Sequence, residues 1–165
     1  SLRLCLRFKN GTVYFYTCAI KQLDEKPNYL YDWSNDVMND EWKPAEALKK
    51  LKALPAEMIC DSLLEQEIFS GVGNIIKNEV LYRVKLHPKS IMAKIPAPVL
   101  KQLIKEARHY SFEFLEWKKA GVLKKHWLAY HKKICSRCNL PIIKEDTGKK
   151  HRSSFYCANC QVLYQ

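Results

Sequence analysis

Four of the seven cysteines stand as two C-x2-C pairs, Cys135/Cys138 and Cys157/Cys160, with 18 residues between the pairs. A C-x2-C turn can point both thiolates at one ion, and a hairpin between the pairs can bring the second pair round to complete a tetrahedron. The spacing therefore reads as one structural zinc ion held by Cys135, Cys138, Cys157 and Cys160, ahead of two disulfides or a redox pair. Pro141-Ile142-Ile143 and Ser154-Phe155-Tyr156 supply the expected strands, and Asp146-Thr147-Gly148 the turn. His131 and His151 flank the cluster, but four thiolates already close such a site, so polar contacts are expected of them. Cys5, Cys18 and Cys60 lie in apolar surroundings and read as buried small hydrophobes.

The second stretch with chemical content is FSGVGNIIKNEV, residues 69 to 80. Bare backbone at a helix start offers N–H donors to an anion. Gly73 is followed by Asn74-Ile75-Ile76 rather than Gly-Lys-Ser/Thr, and no third glycine or preceding strand is present, so neither a Walker A loop nor a dinucleotide fingerprint fits. Taken alone, two glycines between helices read as a helix C-cap and a turn. Charge shifts the balance. The net charge is +11, and residues 121–165 hold nine Lys/Arg against Glu145 and Asp146, which leaves +7 in that segment. A polyanion is the natural partner. By default Arg152 reads as a solvated surface charge and Lys149-Lys150 as a solvated turn; they become candidate contacts, alongside Gly73 and Asn74, through the family resemblance these motifs carry. No apolar run approaches the roughly 20 residues of a spanning helix and no signal-type segment opens the chain, so a cytoplasmic protein without a membrane partner is expected.

The elements that must position these residues fall into four regions. Residues 1–23 alternate Leu2, Leu4, Leu6 and Phe8, then Asn10-Gly11 predicts a type I′ hairpin turn and Val13 to Tyr16 a returning strand. Residues 24–42 read as a linker. From 43 to 122 the periodicity is helical. One helix is predicted from Pro55 to about Phe69, and a second is capped by Asn74 with Ile76, Val80 and Val84 as its stripe. A third carries Leu100, Leu103, Ile104, Ala107, Ser111, Phe114 and Leu115 until Gly121 stops it. Residues 123–165 form the finger. The fold class is α+β: a piece of sheet, a helical region with a glycine turn between helices, and a four-cysteine β-hairpin; the family resemblance these motifs carry makes the strands the remnant of an N-terminal sheet domain and the helices a helix-two-turn-helix module. No lysine lies in an evidently apolar stretch, and the Ser1 start without methionine suggests a piece of a longer chain.

The stretch LLEQEIFSGVGNIIKNEVLYRVKLHP, followed by the double C-x2-C finger carrying HRSSFYCANCQ, resembles the formamidopyrimidine/endonuclease VIII family of DNA glycosylases over about residues 54 to 165. The resemblance implies a helix-two-turn-helix module and a zinc finger that together grip double-stranded DNA holding a damaged base or abasic site, with the protein acting as a monomer. It places Gly73 and Asn74 at the DNA backbone beside the lesion and Arg152 on the finger-hairpin arginine that joins them. Glu79 matches a position inside the second helix, where pairing with backbone or basic groups is expected rather than catalysis. The family's N-terminal proline, adjacent glutamate and assisting lysine have no counterpart in this chain, so the resemblance implies no catalytic residue here, and none of the family's wedge residues is found in YTCAIKQL. The expectation is the DNA-binding portion of a base-excision glycosylase and abasic-site lyase acting on oxidised bases. The alternative is a non-catalytic nucleic-acid-binding zinc-finger module.

Overall fold

The computed structural model describes residues 1–26 and 29–165 in full and only the backbone at 27–28. The chain divides into two units, Ser1–Tyr31 and Asp32–Gln165. The first is an antiparallel hairpin of β1 (Leu2–Phe8) and β2 (Gly11–Tyr16), followed by the one-turn helix α1 (Pro27–Leu30). Phe8 pairs with Gly11, so the loop is Lys9–Asn10, one residue earlier than the sequence suggests. Neither loop residue has the positive φ that a type I′ turn needs. Leu2, Phe8, Val13 and Tyr14 are exposed, as is Cys18, and Cys5 is only half-buried. Of the three lone cysteines only Cys60 is buried as expected, because a two-stranded ribbon has no second layer within its own unit to cover either face.

The second unit holds α2 (Pro44–Lys52), α3 (Ile59–Ser62), α4 (Asn74–Arg83), α5 (Ala97–Lys119) and the hairpin β3 (Ile143–Thr147) and β4 (Arg152–Tyr156). Pro44 opens α2, where its missing N–H is not needed. In α5 the spaced row Leu100, Leu103, Ile104, Ala107 and Ser111 is buried as the periodicity predicts, with Tyr110 added, whereas Leu115 turns outward. Gly121, at φ +70, lets the chain leave α5 in the left-handed conformation. No helix among the described residues is long and apolar enough to cross a membrane.

The predicted helix over 55–69 is not formed. Only the single turn α3 is helical, and turns such as Leu64 N–H to Asp61 O and Ile68 N–H to Glu65 O carry the rest. The apolar rows are nonetheless buried at Ile59, Cys60, Leu63, Ile68 and Phe69. Tertiary bonds explain the difference: the Ile59 and Cys60 N–H groups donate to the Ser90 and Pro88 carbonyls, fixing the chain direction against the 87–90 segment.

Helix α4 is the centre of the unit. Every residue from Ile76 to Tyr82 is buried, including Lys77, Asn78 and Glu79, so it is enclosed all round rather than lying on one apolar stripe. Ile76, Val80 and Leu81 join the main helical core, and Tyr82 joins a second cluster with Ala129, Ile142, Phe155, Cys135 and Cys157. Arg83 ties α4 to α5 through Glu106 at 2.9 Å and Glu113 at 2.6 Å. The Glu79 carboxylate accepts three backbone hydrogen bonds, from Leu128 N–H at 2.8 Å, Ala129 N–H at 2.9 Å and Tyr130 N–H at 2.7 Å. Glu79 thus fixes the segment leading into the finger, in the backbone-pairing role the sequence assigns it. Replacing Glu79 by Ala leaves three inward donors without an acceptor and should cost about 3 kcal/mol or more in urea unfolding. Glu46→Ala, removing an exposed ion pair with Lys49, should cost under about 1 kcal/mol.

Candidate nucleic-acid interface

Two stretches far apart in sequence, 66–78 and 146–155, meet at the start of α4. Gly71, at φ +89, is in the conformation that glycine tolerates, and its N–H donates to Gln66 Oε1 at 3.1 Å while Gln66 Nε2 donates to the Leu64 and Val72 carbonyls. Gln66 is the internal clamp of this turn. Gly73, not Asn74, is the helix cap: it makes no side-chain cap bond, and Asn74 is the first helical residue. The Asn74 side chain is turned instead toward β4, where its Nδ2 donates to the Ser153 carbonyl. Among the described residues nothing explains glycine at 73. Its φ of −107 and ψ of −176 suit any residue, and a Cβ built there meets nothing within 4 Å. The first N–H groups of α4 have no intrahelical acceptors, and here they open beside a bare, exposed backbone.

Asn74, Lys77 and Asn78 lie on one face of the first turns of α4 and converge on a single acceptor. The Ser153 carbonyl oxygen receives Asn74 Nδ2 at 3.1 Å, Lys77 Nζ at 3.3 Å and Asn78 Nδ2 at 3.1 Å. Asn78 Oδ1 accepts the Phe155 N–H at 2.7 Å, and Lys77 Nζ also donates to Ser154 Oγ at 2.9 Å. These bonds set β4 against the helix start and place Arg152, the residue before Ser153, at the edge of the same surface. Arg152 is exposed. Asn74 Oδ1 is buried without a partner, an unused acceptor in the middle of the cluster.

Lys149 and Lys150 are not brought to that cluster as free charges. The Lys149 ammonium pairs with Glu57, while Lys150 Nζ meets Glu65 at 2.9 Å and the Leu64 carbonyl at 3.1 Å. Their N–H groups donate to the buried Asp61 carboxylate at 2.8 and 3.2 Å. The turn lies at 148–151, with Asp146 and Thr147 inside β3 rather than in the turn. Gly148, at φ +70, approaches Asp61 so closely that a Cβ there would come within 2.3 Å of Oδ2. The buried Lys77 also corrects the expectation that no lysine is enclosed: burial draws its ammonium down to about 8, against the opposing pull of Cys60 and Asp61.

Cys135, Cys138, Cys157 and Cys160 bring their four Sγ atoms within 4.8 Å of one another, with 3.9 Å from Cys135 to Cys160 and 3.5 Å from Cys138 to Cys157. A tetrahedral ion with sulfur at about 2.3 Å has S–S edges of about 3.8 Å, so the donor set fits one thiophilic dication. Burial raises the Cys135 thiol, but hydrogen bonds from Tyr82 Oη and the Arg137 and Cys138 N–H groups outweigh it and bring it to about 6. Cys160, facing Cys138, is pushed up to about 12. Neighbouring thiolates repel one another, and a bound dication removes that conflict. His131 and His151 stay outside the cluster; His131 stacks among Tyr130, Phe155 and Trp127.

Residues 34–125 match the formamidopyrimidine-DNA glycosylase H2TH domain, more than half of the chain. The chain belongs to the formamidopyrimidine-DNA glycosylase/endonuclease VIII family. Among its relatives, human endonuclease 8-like 2 is 32% identical over 165 residues, which is 98% of this chain and 48% of that protein. Human endonuclease 8-like 3 is 33% identical over 127 residues, 76% of this chain and 21% of that protein. The chain therefore spans about half or less of the length of these relatives. Of the solved structures, a viral DNA glycosylase superposes with a TM-score of 0.69 at 26% identity, over 78% of this chain and 50% of that one. A Lactococcus lactis formamidopyrimidine-DNA glycosylase bound to DNA containing an abasic site has the same fold, with a TM-score of 0.69 at 24% identity over 77% and 48% of the two chains. The family's fold is thus present from the helical region through the four-cysteine hairpin.

The residues that sequence reasoning missed are Gln66, Asp61, Lys77 and Asn78. The last two carried a signal, since Asn74, Lys77 and Asn78 repeat at the i+3 and i+4 spacing that puts polar side chains on one helix face. The two glycine environments make opposite predictions for stability. Gly148→Ala should destabilise the protein by more than about 2 kcal/mol through the left-handed φ and the Asp61 carboxylate, whereas Gly73→Ala should cost under about 1 kcal/mol, both read by thermal or urea unfolding.

Proposed function

We propose that this chain is the DNA-binding part of a base-excision-repair DNA glycosylase and abasic-site lyase for oxidised bases, and that its ligand is double-stranded DNA with a damaged base or an abasic site. The observation that carries the reading is the meeting, through the Ser153 carbonyl, of the open helix start at Gly73-Asn74 with the exposed Arg152. A phosphate seated there would accept backbone N–H groups at the positive end of α4 and the Arg152 guanidinium. The side chain missing at Gly73 leaves room for that approach, which accounts for a glycine the protein's own geometry does not require. Family membership supports DNA as the polyanion. Within this reading Gly73, Asn74 and Arg152 touch the backbone, while Lys149 and Lys150 brace the turn and add positive potential.

The four cysteines hold one zinc ion in this proposal, as a structural group. Zinc closes the hairpin that carries Arg152, and no side chain of the cluster acts on substrate. Freshly prepared protein should contain one zinc per chain by elemental analysis. Cys157→Ser should lower that content and DNA affinity together, and retained affinity after metal loss would overturn the structural role.

Binding to a short duplex with an abasic site should weaken steeply with salt, as phosphate contacts require. Arg152→Ala should lower affinity and reduce the slope of log affinity against log salt by about one. Asn74→Ala and Gly73→Ala should also weaken binding, the second at nearly unchanged stability. If all three bind the duplex as tightly as the parent in a fluorescence-anisotropy titration, the grip lies elsewhere.

A further inference from the structure

Lys77 has no exposed surface. Its ammonium is directed at the Ser153 carbonyl and Ser154 Oγ, and no carboxylate among the described residues pairs with it. Burying an ammonium without an ion-pair partner is costly. Attachment of β4 to α4 does not require that charge. The same carbonyl already accepts the Asn74 and Asn78 amides, and a carbonyl oxygen has two lone pairs, so the third donor is surplus. Lys77 also faces Arg152, a second cation whose charge opposes its own, and both sit at the strand-to-helix joint. The Asp61 and Asp146 carboxylates face Lys77 but are engaged by the Lys149 and Lys150 N–H groups and by Ser153 Oγ, so two cations, one of them fully enclosed, leave a place for an anion that arrives from outside.

We propose that Lys77 supplies charge to the DNA grip: its ammonium, set against the Arg152–Ser153 segment, contributes from beneath the surface part of the positive charge that a seated backbone phosphate neutralises. The proposal rests on the grip reading above. It makes Lys77 a residue that acts through Arg152 and the helix start without touching the phosphate itself.

A consequence is a pH dependence of binding. The groups facing Lys77 are the Cys60 thiol and Asp61 carboxylate from α3, the Asp146 carboxylate from β3 and the Arg152 guanidinium from β4. Burial lowers the Lys77 ammonium to about 8, and burial raises the Cys60 thiol. In the free protein the Lys77 charge is therefore present below pH 8 and lost as pH rises through it. A phosphate favours the charged form, so binding takes up a proton in and above that window, and affinity falls there.

The test is a fluorescence-anisotropy titration of this 165-residue chain with an abasic-site duplex at constant ionic strength from pH 6.5 to 9.5, comparing the parent with Lys77→Met, Lys77→Arg and Arg152→Ala. Parent affinity should fall about tenfold across the window, and Lys77→Met should be about tenfold weaker at pH 7 without that fall, the loss expected for roughly one phosphate-neutralising charge. Lys77→Arg, which keeps its charge, should hold affinity to higher pH than the parent. Unchanged affinity and pH profile in Lys77→Met, with Arg152→Ala weakened, overturns the role of Lys77 and leaves the grip standing. Parent-like binding by Arg152→Ala, Asn74→Ala and Gly73→Ala overturns the grip itself. Should Lys77→Met fail to fold, the parent's own profile decides, and a flat response through pH 8 refutes the proposal.

Discussion

One carbonyl oxygen organises this molecule's surface. Ser153 O receives donors from Asn74, Lys77 and Asn78, and that convergence fixes the strand carrying Arg152 on the helix that begins at Gly73. Neither partner could create the surface alone. A helix start offers a few N–H groups and half a positive charge, and an arginine on a hairpin offers a mobile cation. Part-buried hydrogen bonds hold the two side by side, so their relative geometry is set by the fold itself.

The same strategy recurs on either side of the joint. Asp61 accepts the Lys149 and Lys150 N–H groups, and Glu79 accepts those of Leu128, Ala129 and Tyr130. In each case a buried carboxylate from the helical region takes over backbone donors of the finger segment, which has too few residues to satisfy them with structure of its own. Tyr82 extends the arrangement into the apolar layer, packing from α4 into the finger's small core and hydrogen-bonding Cys135 Sγ at 3.2 Å. Helical region and finger therefore depend on each other: the four-cysteine site shapes the hairpin, and α4 supplies much of what the hairpin packs against.

The hairpin of residues 1–31 shows the opposite condition. Its alternation is plain in the sequence, yet most of its apolar side chains remain exposed within the unit. Alternation specifies which residues share a face, but burial needs a second layer to meet that face. The 55–69 segment errs in the other direction. Its rows of apolar residues are buried as spaced, while the backbone is bent into turns by bonds to residues 87–90.

By itself the sequence determined which four cysteines gather, the long helix α5 and the glycine turn, because each depends on local spacing: two thiols per turn, an apolar row every three or four residues, and a backbone left bare at one place. It could not determine where long side chains end. Lys149 and Lys150 look like open charges in a basic turn, but each finds a carboxylate from the distant 57–65 segment. Lys77 looks like a surface lysine on a helix, yet the finger closes over it. The energy of a charged side chain depends on solvent access and on groups within a few ångströms, and those neighbours are supplied by distant parts of the chain, so only the tertiary structure decided which cations brace the fold, which one is buried, and that Arg152 stands open.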